Sequence, residues 1–247
     1  LNTLSLGFDE FKGSANDEVP LAETIAATYG TRQHSVRVAG KDFTKDMDDL
    51  LAAMDQPSID GVNTYFVAKA AAAEGLKVAI SGLGGDEIFG GYDSFSQLPD
   101  LVGGVGRIPG IGGIGRLLRS MSTPLTALGM PPKAPGLFEY SSCYGDAYLL
   151  RRALYMPWEL PKLMDSTMAR DGWGQLEETT GRRGQVDGLP TPRSKVSALE
   201  TTHYMRNQLL RDSDWAGMAH SLEIRVPLVD MVFFRRIAPM LVSDTPP

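Results

Sequence analysis

The period of apolar and polar positions changes along this chain, from short apolar runs near the start to long helical spacing in the second half. Residues 4–8, 35–38 and 76–80 read as strands, being short, apolar and bounded by turn formers. Between the first two, residues 17–29 predict a helix with Leu21, Ile25 and Thr28 on one face and Gly30 just past its end. Phe43, Met47, Leu50, Leu51 and Met54 then recur at helical spacing, while Lys45, Asp46, Asp48 and Asp49 fall mostly on the other side as a solvated face. Asn63 is placed to cap a third helix, which runs to Glu74 and is ended by Gly75. Strands alternating with helices predict an α/β fold with a parallel sheet. After Tyr92, the long apolar segments 148–155, 160–168, 196–210 and 229–241 suit helices, and no further strand is predicted. The expected organisation is an α/β part over residues 1–95 and a mostly helical part of the same domain over 96–247.

The third strand leads directly into Ser81-Gly82-Leu83-Gly84-Gly85-Asp86-Glu87-Ile88-Phe89-Gly90-Gly91-Tyr92. A glycine-rich turn at the carboxyl end of a strand lets backbone amides approach a phosphate, and open α/β sheets bind their ligands at such ends. Asp86 and Glu87 would then face the magnesium that accompanies a nucleoside triphosphate. The same pair also suits the first turn of a helix with no metal at all, through capping and the helix dipole.

This turn resembles the signature Ser-Gly-x-Gly-x-Asp-Glu-x-Phe-Gly-Gly-Tyr in the synthetase domain of glutamine-hydrolysing asparagine synthetases. A second block is similar to that family too: Asn207-Gln208-Leu209-Leu210-Arg211-Asp212, leading into the run from Met218 through Glu223 and Arg225 to Asp230. Upstream, residues 4–10 look like its second nucleotide-binding strand, and Asp55-Gln56-Pro57 like its loop after a helix. Only residues 98–136 and 171–194, rich in glycine and proline, look like variable insertions.

The resemblance implies an incomplete doubly wound parallel sheet of the adenine nucleotide alpha-hydrolase-like, PP-loop ATPase type, followed by a mostly helical half. It implies a ligase that uses ATP and Mg2+ to adenylate the aspartate side-chain carboxylate. Ammonia from glutamine then displaces AMP to form the amide. Carried onto this sequence, Leu6 lines the adenine site through its backbone, and Ser81, Gly82, Leu83, Gly84 and Gly85 form the nucleotide-binding turn. Asp86 and Glu87 hold magnesium pyrophosphate, and Glu223 and Arg225 are the catalytic candidates near the acyl-adenylate; the two could equally be a structural ion pair.

Two positions depart from the family pattern: leucine stands at 83, where glutamate is common, and glycine at 85, where serine is frequent. Relatives that close β-lactams or cyclise peptides also vary at position 83, and they supply the alternative enzymatic reading. A non-catalytic interaction module derived from the fold is the third. The family's pyrophosphate loop is expected before Leu1, its lysine-bearing segment after Pro247, and its glutaminase domain outside this chain. With only three strands, against roughly five or six in a usual sheet, the edges are expected to be exposed and the chain marginally stable or homo-oligomeric.

Composition narrows the partners. The 247 residues carry 24 basic and 30 acidic side chains, a formal charge of −6, which argues against nucleic acid as the partner. Small-molecule substrates, namely ATP, aspartate or another carboxylate, and ammonia, are the expected ones. No apolar stretch approaches bilayer length, so no membrane partner is expected. The single cysteine, Cys143, cannot form an internal disulfide, which suits a reducing cytoplasm and a buried structural thiol. His34, His203 and His220 show no metal-ligand spacing.

Overall fold

In the computed structural model, which describes residues 1–122, 129, 131, 133–181 and 184–241, helices dominate and strands are few. The chain order is β1 (Asn2–Phe8), α1 (Val19–Tyr29), β2 (Arg32–Val38), α2 (Gly40–Ala53), α3 (Gly61–Ala73), β3 (Val78–Ile80), α4 (Gly85–Phe89), α5 (Ser94–Gly103) and α6 (Ile111–Ser122). It continues with α7 (Tyr144–Arg152), α8 (Ser166–Thr180), α9 (Pro192–Leu199), the π-helical stretch Glu200–Leu209, α10 (Leu210–Met218), β4 (Glu223–Arg225) and α11 (Met231–Leu241). Parts of both expected insertions, at 123–128, 130, 132 and 182–183, lie outside the described residues.

Two compact units result. The first joins Leu1–Leu83 to His203–Asp230, and the second joins Gly84–Thr202 to the chain from Met231 onward. The helical half expected after residue 95 therefore lends its 203–230 segment to the first unit.

The first unit holds every described strand. β1 and β2 pair in parallel over their whole length, Leu6 opposite Val36 and Phe8 opposite Val38. β3 pairs in parallel with β4, Val78 opposite Glu223 and Ile80 opposite Arg225. These are two separate two-stranded sheets, so the described strands form no continuous doubly wound sheet. Both pack on α3. Leu6 and Phe8 meet a core of Val38, Leu50, Tyr65, Phe66 and Trp215, while Leu4, Leu76, Ala79 and Ile224 meet Ala68, Ala71 and Leu222. Filling such positions contributes about 1.5–3 kcal/mol per large side chain, so α3 carries much of this unit.

Four sequence expectations need correction. β4 was not predicted: only Ile224 of its three residues is apolar and faces the core, and the strand exists through its pairing with the distant β3. The Leu21–Ile25 face of α1 points outward, with Leu21 64% and Ile25 50% exposed, because Val19 and Ala26 bury the helix instead. Asp46 is buried against Lys69 as an ion pair, whereas Asp48 and Asp49 are exposed as expected. α3 starts at Gly61, ahead of Asn63, and Asp60 at its N-cap makes no cap hydrogen bond. Its carboxylate accepts instead from Tyr204 Oη at 2.9 Å and Gln208 Nε2 at 2.6 Å. The ends predicted at Gly30 and Gly75 are found, with φ of 63° and 76°.

The loop 55–60 and the segment 204–215, both singled out by sequence, are stitched together. Arg211 pairs with Asp55 at 2.8 Å, and Gln56 Nε2 donates to the Asn207 carbonyl at 3.1 Å. Buried Asp212 accepts from Ser58 Oγ at 2.6 Å and Trp215 Nε1 at 2.9 Å.

The second unit is helical among its described residues. Tyr140, Leu150 and Met156 form a core with Leu101, Leu149 and Trp158 around it. Cys143, expected as a buried thiol, is only partly buried and forms no disulfide.

Two expectations follow for stability. Val78 and Ile80 on the short β3 are 41% and 76% exposed, and unpaired strand edges recruit other chains. The melting temperature should rise with protein concentration, and sedimentation should show self-association; a sharp, concentration-independent monomeric transition would contradict this. His220 packs edge-on against Tyr65 at 4.4 Å with its Nε2 buried and unpartnered. Burial first, then the charge of Lys69, hold its pKa below the ordinary range, with Asp46 opposing. A lowered imidazole pKa gives stability that is complete above the unfolded value of about 6.5 and is lost as pH falls through the folded value. Urea midpoints should drop below about pH 6.5, and His220→Gln should flatten that dependence.

Candidate functional site

The candidate residues fall in both compact units. In the first unit, β3 ends at Ile80 and its ladder with β4 runs one step further, Ser81 N–H donating to the Arg225 carbonyl at 2.8 Å. The Ser81 hydroxyl accepts from the Leu83 amide at 3.2 Å and folds the chain over. Gly82, exposed, has no heavy atom within 4 Å of where a Cβ would stand. Its main chain is therefore open to a ligand. Leu83 is half-buried.

Glu223 and Arg225 alternate with Ile224 along β4, so both lie on the face away from the core. Arg225 Nε donates to Glu223 Oε1 at 2.9 Å, with side chains 62% and 57% exposed. Such an exposed pair contributes about 0–1 kcal/mol, too little to lock either group against a reactant. The structure thus brings Ser81, Gly82 and Leu83 together with Arg225 at the carboxyl ends of β3 and β4. Leu6 lies on β1, its partly buried side chain packed against the core and its strand paired on one side only among the described residues.

In the second unit, Gly84 leads into α4 with φ of 96°, a left-handed conformation that favours glycine. Gly85, partly buried, is the first residue of α4. Asp86 and Glu87 follow, and successive helical side chains point about 100° apart. Asp86 is exposed, lying against Gly91, where a Cβ would come within 2.1 Å of its Oδ1. Glu87 turns inward and is 1% exposed.

Glu87 is enclosed by its surroundings. Its Oε1 accepts from Tyr92 Oη at 3.1 Å, and its Oε2 is buried without a partner. Burial is the main cause that raises its pKa, with the charges of Asp86 and Glu200 adding to it and the Tyr92 hydrogen bond opposing. That favours a neutral carboxylic acid. No group of three or more His, Cys, Asp or Glu that could hold a metal is found among the described residues. Exposed Asp86 is open to a cation, whereas Glu87 is turned inward.

What holds α4 in place lies far away in sequence and carried no local signal. Ser197 Oγ donates to the Glu87 carbonyl at 2.8 Å, and an Arg193 guanidinium nitrogen donates to the Ile88 carbonyl at 3.1 Å. Behind them, fully buried Glu200 accepts from Ser94 Oγ at 2.5 Å and Tyr148 Oη at 3.0 Å, and pairs with Arg152 at 2.9 Å. The Arg152 guanidinium also lies over the Tyr92 ring at 4.5 Å. Only a pairing of residues 48–106 positions apart reveals this cluster.

Comparison with known proteins identifies the family. Residues 1–240 match the family model described as asparagine synthase. Asparagine synthetase [glutamine-hydrolyzing] 1 of Bacillus subtilis strain 168 is 27% identical over 243 residues, covering 95% of this chain and 35% of that protein. A putative asparagine synthetase [glutamine-hydrolyzing] of Mycobacterium tuberculosis strain H37Rv is 26% identical over 236 residues, covering 95% and 34%. Amidase chry2 of Gibberella zeae is 34% identical over 90 residues, covering 36% of this chain and 13% of that protein. The chain spans about a third of the length of the asparagine synthetases it matches, 35% of the first. No solved structure matches it significantly. A family match that takes in both the signature turn and the strand it pairs with settles the ancestry: this chain belongs to the asparagine synthase family.

Proposed function

We propose that this chain is the synthetase part of an ATP-dependent carbon–nitrogen ligase of the glutamine-hydrolysing asparagine synthetase type. It would activate the aspartate side-chain carboxylate as an acyl-adenylate, release pyrophosphate, and let ammonia from a glutaminase domain displace AMP. The observation that carries the reading is the glycine turn leaving β3, its main chain open at Gly82 and its first residue tied to β4. In this reading the two parallel pairs are parts of one doubly wound sheet, and the enzyme works in the cytoplasm. Among the described residues, no helix is long and apolar enough to cross a membrane.

Each residue's work follows from its surroundings. The amides of Ser81, Gly82, Leu83, Gly84 and Gly85 would offer donors to phosphate oxygens, fixed dipoles that need no reorganisation as charge develops. Leu6 would contribute main chain beside the adenine. Asp86 would hold the magnesium, which supplies charge neutralisation on the leaving pyrophosphate. Glu87, buried, would hold α4 rather than touch the ion. Glu223 and Arg225 would orient the activated carboxylate, their exposed ion pair being weak enough to open for a substrate.

A second reading has one specific observation behind it. Leu83 places a half-buried apolar side chain where asparagine synthetases commonly carry glutamate, and leucine can neither accept a proton nor pair with an ammonium group. An amide former of the lactam- or peptide-cyclising type would accept that change.

Titration calorimetry of this chain with magnesium ATP tests the nucleotide part. Binding is expected, and Gly82→Asp should weaken it about tenfold or more by setting a carboxylate against the phosphates. No binding at millimolar nucleotide, either by this chain or by one extended upstream of Leu1, would overturn the nucleotide reading. If ATP binds, formation of an adenylate with aspartate as against other carboxylic acids, read by pyrophosphate release in the presence of a glutaminase partner or ammonia, separates the two enzymatic readings.

A further inference from the structure

The last turn of α7 carries two arginines in succession, and both reach one cavity of about 240 Å³ walled on the other side by Gly91, Tyr92, Asp93 and Ser94. The two guanidinium groups are engaged very differently. Arg152 Nε donates to both Glu200 oxygens at 3.3 and 3.1 Å, and its plane covers Tyr92, so it belongs to the buried cluster. Arg151 Nε donates to Gln97 Oε1 at 2.9 Å, while its terminal nitrogen stands 3.8 Å from Asp93 Oδ2. At that separation no hydrogen bond forms. The Arg151 and Asp93 side chains are 44% and 74% exposed, so their attraction is screened and weak.

Asp93 therefore stands where an anion would, without gripping the site. Lys133 Nζ donates to the Arg151 carbonyl at 3.1 Å, and its pKa is lowered by burial first and then by the Arg151 charge. The volume is several times the roughly 30 Å³ of one water and below the roughly 300 Å³ at which drug-sized pockets begin. It suits a compact ligand.

We propose that this cavity binds a small oxyanion, a phosphate or a short dicarboxylate, with Arg151 as its principal contact and Asp93 as a displaceable internal competitor. The guanidinium fork is matched to planar or tetrahedral oxyanions, which it can take through two parallel hydrogen bonds. None of the lining residues belongs to the turn 81–87, so this site stands or falls apart from the nucleotide reading.

The test is calorimetric titration of the full chain with inorganic phosphate and with succinate, ionic strength held constant with chloride. At least one probe should bind at one site. Arg151→Ala should weaken it about tenfold, the ordinary effect of losing a hydrogen bond to a charged group. Asp93→Asn, which removes the competing carboxylate, should strengthen it. Tighter phosphate binding assigns the site to a phosphoryl ligand, and tighter succinate binding to a carboxylate. Should Arg151→Ala fail to fold, Asp93→Asn decides alone. Binding of neither probe above chloride, binding unchanged by Arg151→Ala, or weakening by Asp93→Asn would each overturn the proposal.

Discussion

Burying a carboxylate is the constraint on which the second unit depends. An ionised group withdrawn from water costs several kcal/mol unless hydrogen bonds and an opposite charge replace its hydration. Glu200 is fully buried, and Ser94, Tyr148 and Arg152 supply that replacement. Meeting the demand draws α5 and α7 to the start of the π-helical stretch and lays Arg152 over Tyr92. Tyr92 in turn gives its hydroxyl to Glu87. Arg152 pairs with Glu200, while burial raises the pKa of Glu87. Of the signature pair, Asp86 is exposed and Glu87 is buried.

The first unit answers to a different constraint, the hydrogen-bonding of strands. Two parallel pairs share α3, yet neither extends into a full sheet among the described residues. The carboxyl end of β3 is held in place chiefly by β4, through a ladder of three residues and the Ser81–Arg225 bond. A short ladder makes a poor anchor alone. The stitching of loop 55–60 to segment 204–215 around Asp60 and Asp212 supplies the remaining rigidity.

Much of this was legible in the sequence where the signal is local. β1, β2 and β3, the helices between them and their glycine stops follow from spacing and turn chemistry, and the signature turn identified the family. What escaped depends on partners distant in the chain. β4 has a single inward apolar residue and takes its conformation from β3. Asp46 looked solvated beside Asp48 and Asp49 because Lys69 lies a helix away. The inward turn of Glu87 was hidden because adjacent carboxylates look alike in sequence, and only their 100° separation on α4, with Tyr92 on one side, tells them apart. Glu200 gave no sign at all, since its donors come from residues 94, 148 and 152.

The division of labour between Asp86 and Glu87 is most directly tested by comparing Asp86→Asn with Glu87→Gln for magnesium pyrophosphate binding, each variant's folding being checked by its melting temperature. Glutamine is a near-isostere of glutamate and Glu87 is buried, so Glu87→Gln should retain the wild-type affinity within about twofold. Asp86→Asn should lose about tenfold or more, the scale of one charged ligand contact. Equal losses in two well-folded variants would contradict the account and return Glu87 to the metal.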